Sequence, residues 1–313
     1  MNGPILEVEH LVKEFPGGRR GEVVRAVDDV SFAVAEGEVL GLVGESGSGK
    51  STTARCVMRL IEPTSGRITF EGNDLMDASR SRLKRLRRGM QMVFQDPYSS
   101  LDPRMRIEDV IAEGMVVHGT VRGAEARRAR VAELLELVGL RQDHLRRRPS
   151  DFSGGERQRI GIARALAVDP RLLVCDEPVA SLDVSIQAQI LNLFKRLQRD
   201  LGLTIIFIAH DLATVRHLCD RVAVMSNGAI HEIGTREQIY SAPTSDYTRS
   251  LLAAMPVPDP EVERRKAAAR RARLEPAGSA GEAGGGDAPT DGGGPTAADP
   301  RPSLPVSASG GAG

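Results

Sequence analysis

The chain has 313 residues, 41% of them hydrophobic and 27% charged, enough apolar material for one large domain or two modest ones. Lys+Arg and Asp+Glu both number 42, a balance that argues against a general nucleic-acid coat; 3% aromatic residues and no Trp argue against a base-stacking RNA platform. Apolar runs stay short, as at residues 205–209, far below the ~20 residues of a membrane span. Glu7 and Glu9 with no apolar segment do not read as a signal peptide, and Cys56, Cys175 and Cys219 form neither a disulfide framework nor a zinc pattern, so a reducing, cytosolic location is expected.

In chain order, residues 39–43 (Val-Leu-Gly-Leu-Val) read as a buried strand and residues 51–60 as a helix. Between them lies Gly44-Glu45-Ser46-Gly47-Ser48-Gly49-Lys50-Ser51-Thr52, which fits G-x-x-x-x-G-K-[ST]. Residues 80–88 hold six basic residues; Leu83 and Leu86 at helical spacing predict an amphipathic helix with a solvated basic face rather than a nucleic-acid patch. Residues 90–94 form the next strand candidate. From Arg106 to Pro149 the pattern turns helical and basic, with an apolar stripe at Val131, Leu134, Leu135 and Val138 closed by Gly139. With the segment after it, this is read as a helical subdomain over about 106–165. Strand candidates resume at 172–175, 203–208 and 221–225. Between them Asp183 caps a helix with the stripe Ile186, Ile190, Leu193 and Leu197, ending near Gly202. Strands alternating with helices predict an α/β fold with a mostly parallel core sheet. The folded part is taken as residues 4–257, then a charged linker at 258–273. The tail at 274–313, with eleven Gly and six Pro, is too poor in large aliphatics to offset its ordering entropy and is expected to be disordered.

The chemistry starts at the glycine-rich loop. Its glycines let backbone N–H groups converge on phosphate oxygens, and the following helix offers its positive end. Lys50 is expected to reach the β- and γ-phosphates of a nucleotide and the Ser51 hydroxyl to ligate Mg²⁺. Asp176 emerges at the end of the 172–175 strand as the partner for the metal. Glu177, directly after it, points to another side and is the candidate general base on the attacking water. His10, His118, His144, His217 and His231 lack neighbours at metal spacing, and Cys175 reads as core.

With Ser153-Gly154-Gly155-Glu156-Arg157-Gln158 just before the Asp176 strand, the sequence resembles the ATP-binding subunits of ABC transporters. The ordered set is the loop at 44–52, Gln95, the signature at 153–155, Asp176-Glu177, the Ser181-Leu182-Asp183 loop and His210. The resemblance implies an ABC cassette of the P-loop NTPase class, with an N-terminal antiparallel β portion and a C-terminal importer-type extension at about 235–257. It implies two such domains meeting head to tail, with ATP between the loop of one and the signature of the other. Ser153 and the Gly155 backbone would then donate to the γ-phosphate in trans, with Gly154 and Glu156 in the same turn. Gln95 would sense Mg²⁺ and water, His210 would bond the γ-phosphate and orient Glu177, and Asp183 would join the dimer seam. Phe15 is the candidate for stacking on adenine. The signature has Glu156 where many members have Gln, and Val179-Ala180-Ser181 departs from the commoner Ser-Ala order; neither removes a phosphate ligand or the base.

Residues 94–104, 183–192 and 246–256 are similar to the dipeptide/oligopeptide importer branch, within it the second ATPase subunit, although Ser245-Asp246 replaces the usual His-Pro. That implies two integral-membrane permeases, a second ATPase subunit (heterodimer favoured over homodimer), an extracellular substrate-binding protein, no nucleic acid, and a peripheral place on the cytoplasmic face of the membrane. The alternatives are the same ATPase role for another small solute such as nickel, or a soluble ABC ATPase of DNA repair or translation. Repair types insert long coiled coils between the Gln loop and the signature; the 57 residues between Gln95 and Ser153 show no heptads.

Overall fold

The computed structural model describes residues 3–17, 23–96 and 100–254. The linker at 258–273, the tail at 274–313 and the last residues of the extension lie outside the described residues.

Two sheets organise the described chain. The first is antiparallel, four-stranded, in the order β2-β1-β4-β5, with β1 at Leu6–Pro16, β2 at Val23–Val34, β4 at Ser65–Phe70 and β5 at Asn73–Asp74. The second has six strands in the order β10-β9-β3-β8-β7-β6. They are β3 (Val39–Val43), β6 (Met90–Val93), β7 (Leu172–Asp176), β8 (Thr204–Ala209), β9 (Arg221–Ser226) and β10 (Ala229–Thr235). All pair in parallel except β10, which returns antiparallel along β9.

Side chains alternate across a strand, so one buried strand feeds two cores. Val39, Val43, Leu173, Cys175, Ile205, Phe207, Val222 and Val224 face the helical side, together with Ile160, Leu193 and Phe194. Leu40, Leu42, Leu172, Val174, Ile206, Ile208, Ala223 and Met225 face the antiparallel sheet, with Leu6, Val30, Ile68 and Phe70. The central strands β3, β7 and β8 are therefore buried along their whole length, which is why they read as unbroken apolar runs.

The helix after β3 spans Lys50–Val57, shorter than the expected 51–60, because Met58 caps it and Arg59 takes a φ of 51°. The basic helix Arg80–Gly89 packs Leu83 and Leu86 against the second core. Helices Ile107–His118 and Ala124–Leu137, two 3-10 turns (Gln142–Arg146, Pro149–Asp151) and helix Gly154–Leu166 follow before β7. The stripe Val131, Leu134, Leu135 and Val138 is buried, and Gly139 closes it at φ 77°. In helix Val184–Leu201, Ile190, Leu193 and Leu197 are buried as expected, but Ile186 is only partly so. Asp183 stands at its N-cap without a side-chain cap hydrogen bond, contrary to the expectation that it caps the helix. Gln187 ties the preceding loop to the helix start instead: its Nε2 donates to the carbonyls of Val179 and Leu182, both at 3.0 Å.

Candidate nucleotide site

The loop after β3 is fixed by its surroundings. A Cβ at Gly44 would lie 2.0 Å from the Met225 carbonyl oxygen, and one at Gly49 would lie 2.3 Å from that of Ala26. Only glycine fits at either point, so the loop is wedged between β2 and the end of β9. The Gly228 N–H donates to the Ser48 carbonyl at 3.0 Å, and the Ser48 N–H to that of Glu45 at 3.2 Å. Helix Lys50–Val57 then starts at Gly49 (φ 99°) with no side-chain cap and no acidic residue in its first turn. Its first amides are thus left for an outside acceptor, and Glu45, Ser46 and Gly47 line the exposed mouth. This donor set fits a nucleotide polyphosphate.

Lys50 is buried at 3% exposure, and its Nζ donates to the carbonyls of Gly44 (2.7 Å) and Glu45 (2.8 Å). Burial pulls its pKa below the usual lysine value, while Glu177 and Asp176 oppose that shift. Ser51 Oγ donates to Asp176 Oδ1 at 2.6 Å. Asp176 ends β7 at 1% exposure, and Arg55 Nη2 stands 3.9 Å from its second oxygen. A part-buried hydroxyl–carboxylate pair beside a phosphate cradle is an oxygen set of the kind Mg²⁺ takes. Thr52 sits half-buried in the same turn.

Glu177 follows with φ 46°, a left-handed backbone that a non-glycine residue adopts at a cost. That turn separates its side chain from Asp176. Gln95 Nε2 donates to Glu177 Oε2 at 3.2 Å, and Lys50 Nζ lies 3.9 Å from Glu177 Oε1. The structure therefore brings Lys50, Ser51, Gln95, Asp176 and Glu177 together from three separate stretches of chain. It does not bring His210 onto Glu177: the imidazole Nε2 is 3.3 Å from Asp211 Oδ2 and half-exposed. Asp211 in turn accepts from the Thr214 N–H at 2.7 Å.

Phe15 is half-buried near the end of β1, where Lys13 Nζ sits 4.8 Å over its ring and covers one face. The signature occupies a separate element. Ser153 is the N-cap of helix Gly154–Leu166, in a reciprocal capping box with Glu156. Among the described residues no hydrogen bond ties 153–156 to the phosphate loop. Sequence reasoning missed Arg55, one helical turn after Ser51 and so on the same face, a spacing that signals it. It also missed Met225, Ala26 and Gly228, which close the loop from distant strands and leave no local signal.

A phosphate cradle at the C-terminal end of β3, beside an acidic pair ending β7, makes this an ATP-binding and ATP-hydrolysing P-loop protein. More narrowly, the chain belongs to the ABC transporter ATP-binding family. The family profile, described as ABC transporter, matches residues 27–180. The chain is 51% identical over 267 residues to the oligopeptide transport ATP-binding protein OppF of Bacillus subtilis, covering 85% of this chain and 87% of that protein. It is 50% identical over 264 residues to the dipeptide transport ATP-binding protein DppF of Lactococcus lactis, covering 84% of each. Among solved structures, a dimeric ATP-binding cassette in a post-hydrolysis state bound to ADP and Pi superposes with a TM-score of 0.68 at 27% identity, over 74% of this chain and 98% of that one. A Clostridium perfringens cassette, cbiO1, described as part of the transporter complex cbiONQ, gives 0.68 at 28% identity, over 85% of this chain and all of its own. Among the described residues no helix is long and apolar enough to cross a membrane.

Proposed function

We propose that this ATPase energises uptake of di- and oligopeptides, as the second ATPase subunit beside two membrane permeases and an extracellular binding protein. The observation that carries the ATPase part is the meeting of Ser51, Asp176, Glu177 and Gln95 at the mouth of the loop. The relatives named for peptide transport carry the solute class. Lys50 and the amides of 44–52 hold the β- and γ-phosphates. Ser51, Asp176 and Gln95 would hold Mg²⁺, which neutralises charge on the phosphate oxygens when bound. Glu177 takes the proton of the attacking water, and Gln95, donating to Glu177 Oε2, orients that carboxylate. His210 swings from Asp211 to the γ-phosphate, and Phe15 stacks on adenine with its free face. Ser153 and the Gly155 amide complete the site of a partner cassette in trans, with Asp183 at the seam; a second, different ATPase subunit is favoured as that partner.

The permease contact is assigned beside Gln95. A groove of about 300 Å³ there is lined by Leu60, Arg87, Phe94, Val117, His118 and Arg164. Leu60, Phe94 and Val117 are large apolar side chains left exposed at its edge. Such a cluster on a cytoplasmic-face subunit is what a docking permease segment would cover. The test is a deletion strain lacking redundant ATPases, assayed for growth on peptides and for resistance to toxic peptides. Unchanged peptide uptake would overturn the solute class. The same uptake loss for nickel, with peptides unaffected, would favour the related small-solute reading.

A further inference from the structure

The signature turn already has a bound carboxylate of its own. Glu156 Oε2 accepts from the Ser153 N–H at 2.9 Å and from the Ser153 hydroxyl at 2.8 Å, while Ser153 Oγ accepts from the Glu156 N–H at 3.4 Å. One side-chain oxygen thus takes the two donors of Ser153, and the hydroxyl proton is committed within the turn. The same charge sits on the positive end of helix Gly154–Leu166, where it offsets part of the attraction that end offers an external anion. The Ser153 backbone and hydroxyl bonds hold the carboxyl below its usual range, with His144 and Arg147 adding to the effect, so it is ionised at neutral pH. Neighbouring geometry leaves the turn little room to relax otherwise, since a Cβ on Gly155 would meet Ile186 Cγ2 at 2.6 Å.

The geometry points to Glu156 as a positioning residue that holds the Ser153 hydroxyl away from phosphate until a nucleotide on the partner cassette displaces it. This rests on the reading that Ser153 serves a γ-phosphate in trans. Closure over ATP then requires the Ser153 O–H to leave one anion for another and requires the carboxylate to swing out against an approaching polyphosphate. The cassette's signature is therefore a guarded half-site, set to close only at high nucleotide occupancy. A glutamine at this place keeps the cap, because its amide oxygen accepts from the Ser153 N–H, yet it removes the charge and with it the charge-assisted hold on the hydroxyl.

The experiment uses the assembled transporter carrying Glu177→Gln, and reads closure of the two cassettes against MgATP by a fluorophore pair across them. Adding Glu156→Gln lowers the half-closure concentration by about five- to tenfold, the size of removing one nearby like charge and loosening one charge-assisted hydrogen bond. Thermal stability stays native, because the cap persists. Glu156→Ala lowers the closure midpoint similarly but also lowers the melting temperature, since the cap is lost. In a Ser153→Ala background the effect of Glu156→Gln shrinks to about twofold, the part due to the charge alone, because the part that passes through the hydroxyl is gone. An unchanged or raised midpoint in Glu156→Gln, at native stability, overturns the proposal. A midpoint indifferent to Ser153→Ala itself overturns the trans reading, and the proposal falls with it.

Discussion

Replacing Gly155 by Ala tests whether the signature turn and the loop before Asp183 are mechanically joined. The added Cβ would stand 2.6 Å from Ile186 Cγ2, so about 1 Å of movement is needed to restore ordinary contact. Ile186 is β-branched and stiff, and it belongs to the first turn of helix Val184–Leu201. Gln187, beside it, holds the carbonyls of Val179 and Leu182, so a displaced helix start carries that loop and Asp183 along. Alanine favours the helix by up to ~1 kcal/mol over glycine, whereas overpacking costs ~1–3 kcal/mol. The expected balance is a loss of about 1 kcal/mol, or roughly 3 °C in melting temperature. ATPase activity falls further, by about tenfold, because an ångström of misplacement near a reacting centre is costly. Calorimetry and a phosphate-release assay on the single variants and on Gly155→Ala/Ile186→Ala close a double-mutant cycle. The cycle is expected to show a coupling of at least ~1 kcal/mol. A Gly155→Ala protein as stable and as active as the native one would refute the steric argument.

Glu177→Gln retains ATP binding while hydrolysis drops ~10²–10⁴-fold, measured by phosphate release against equilibrium nucleotide binding; a native rate would remove Glu177 from the chemistry. Lys50→Ala loses nucleotide affinity outright and also strands the buried Gly44 carbonyl, so titration with a fluorescent nucleotide and a melt both register it. Glu232 accepts from the Thr244 N–H and hydroxyl and from the Ser245 N–H; burial alone would raise its pKa, but these bonds, with the nearby Thr248 hydroxyl, bring it down to about 2. A depressed carboxylate gives stability that is full above its unfolded value near 4.5 and is lost as pH falls through about 2. Glu232→Gln is therefore less stable at neutral pH and loses less on acidification, and melts across pH 7 to 2.5 that stay parallel to the native curve would count against it. Cys56, Cys175 and Cys219 are free and buried, with burial pushing the Cys56 thiol up to about 11. Alkylation at pH 7.5 should label none of them until denaturant is added, and mass spectrometry reads the result directly.

Much of the parallel sheet was legible because strands buried on both faces must be continuously apolar, and β3, β7, β8 and most of β9 are. β10 was not, since Ala229–Thr235 alternates half-buried with exposed positions and carries His231 and Glu232. The antiparallel strands came only through resemblance, for β1 pairs with β2 through several register shifts that blur its alternation. The site was readable where its chemistry needs neighbours in sequence, as in the 44–52 loop and Asp176-Glu177. It was unreadable where one residue acts on a distant one. Gln95 entered only through the family resemblance, as a sensor of Mg²⁺ and water, and its bond to Glu177 left no signal in the sequence; Asp183 showed that a residue type suited to a cap can stand at the cap without a side-chain cap bond.

The turn between β9 and β10 bears on how the loop meets its ligand. Asn227 and Gly228 both take positive φ (50° and 83°), the backbone of a tight hairpin. From that hairpin the Gly228 N–H fastens Ser48, and the Gly228 carbonyl accepts from Asp28 on β2 at 2.8 Å. The phosphate seat is thereby pinned through the β9–β10 hairpin to β2, and its shape is fixed by the fold itself. The entropy of ordering the seat is lost once, when the chain folds, and is not charged again at each turnover. Binding and release can then repeat without the loop melting between cycles, and a change at residue 227 or 228, far along the chain, would be felt as slack in the grip on phosphate.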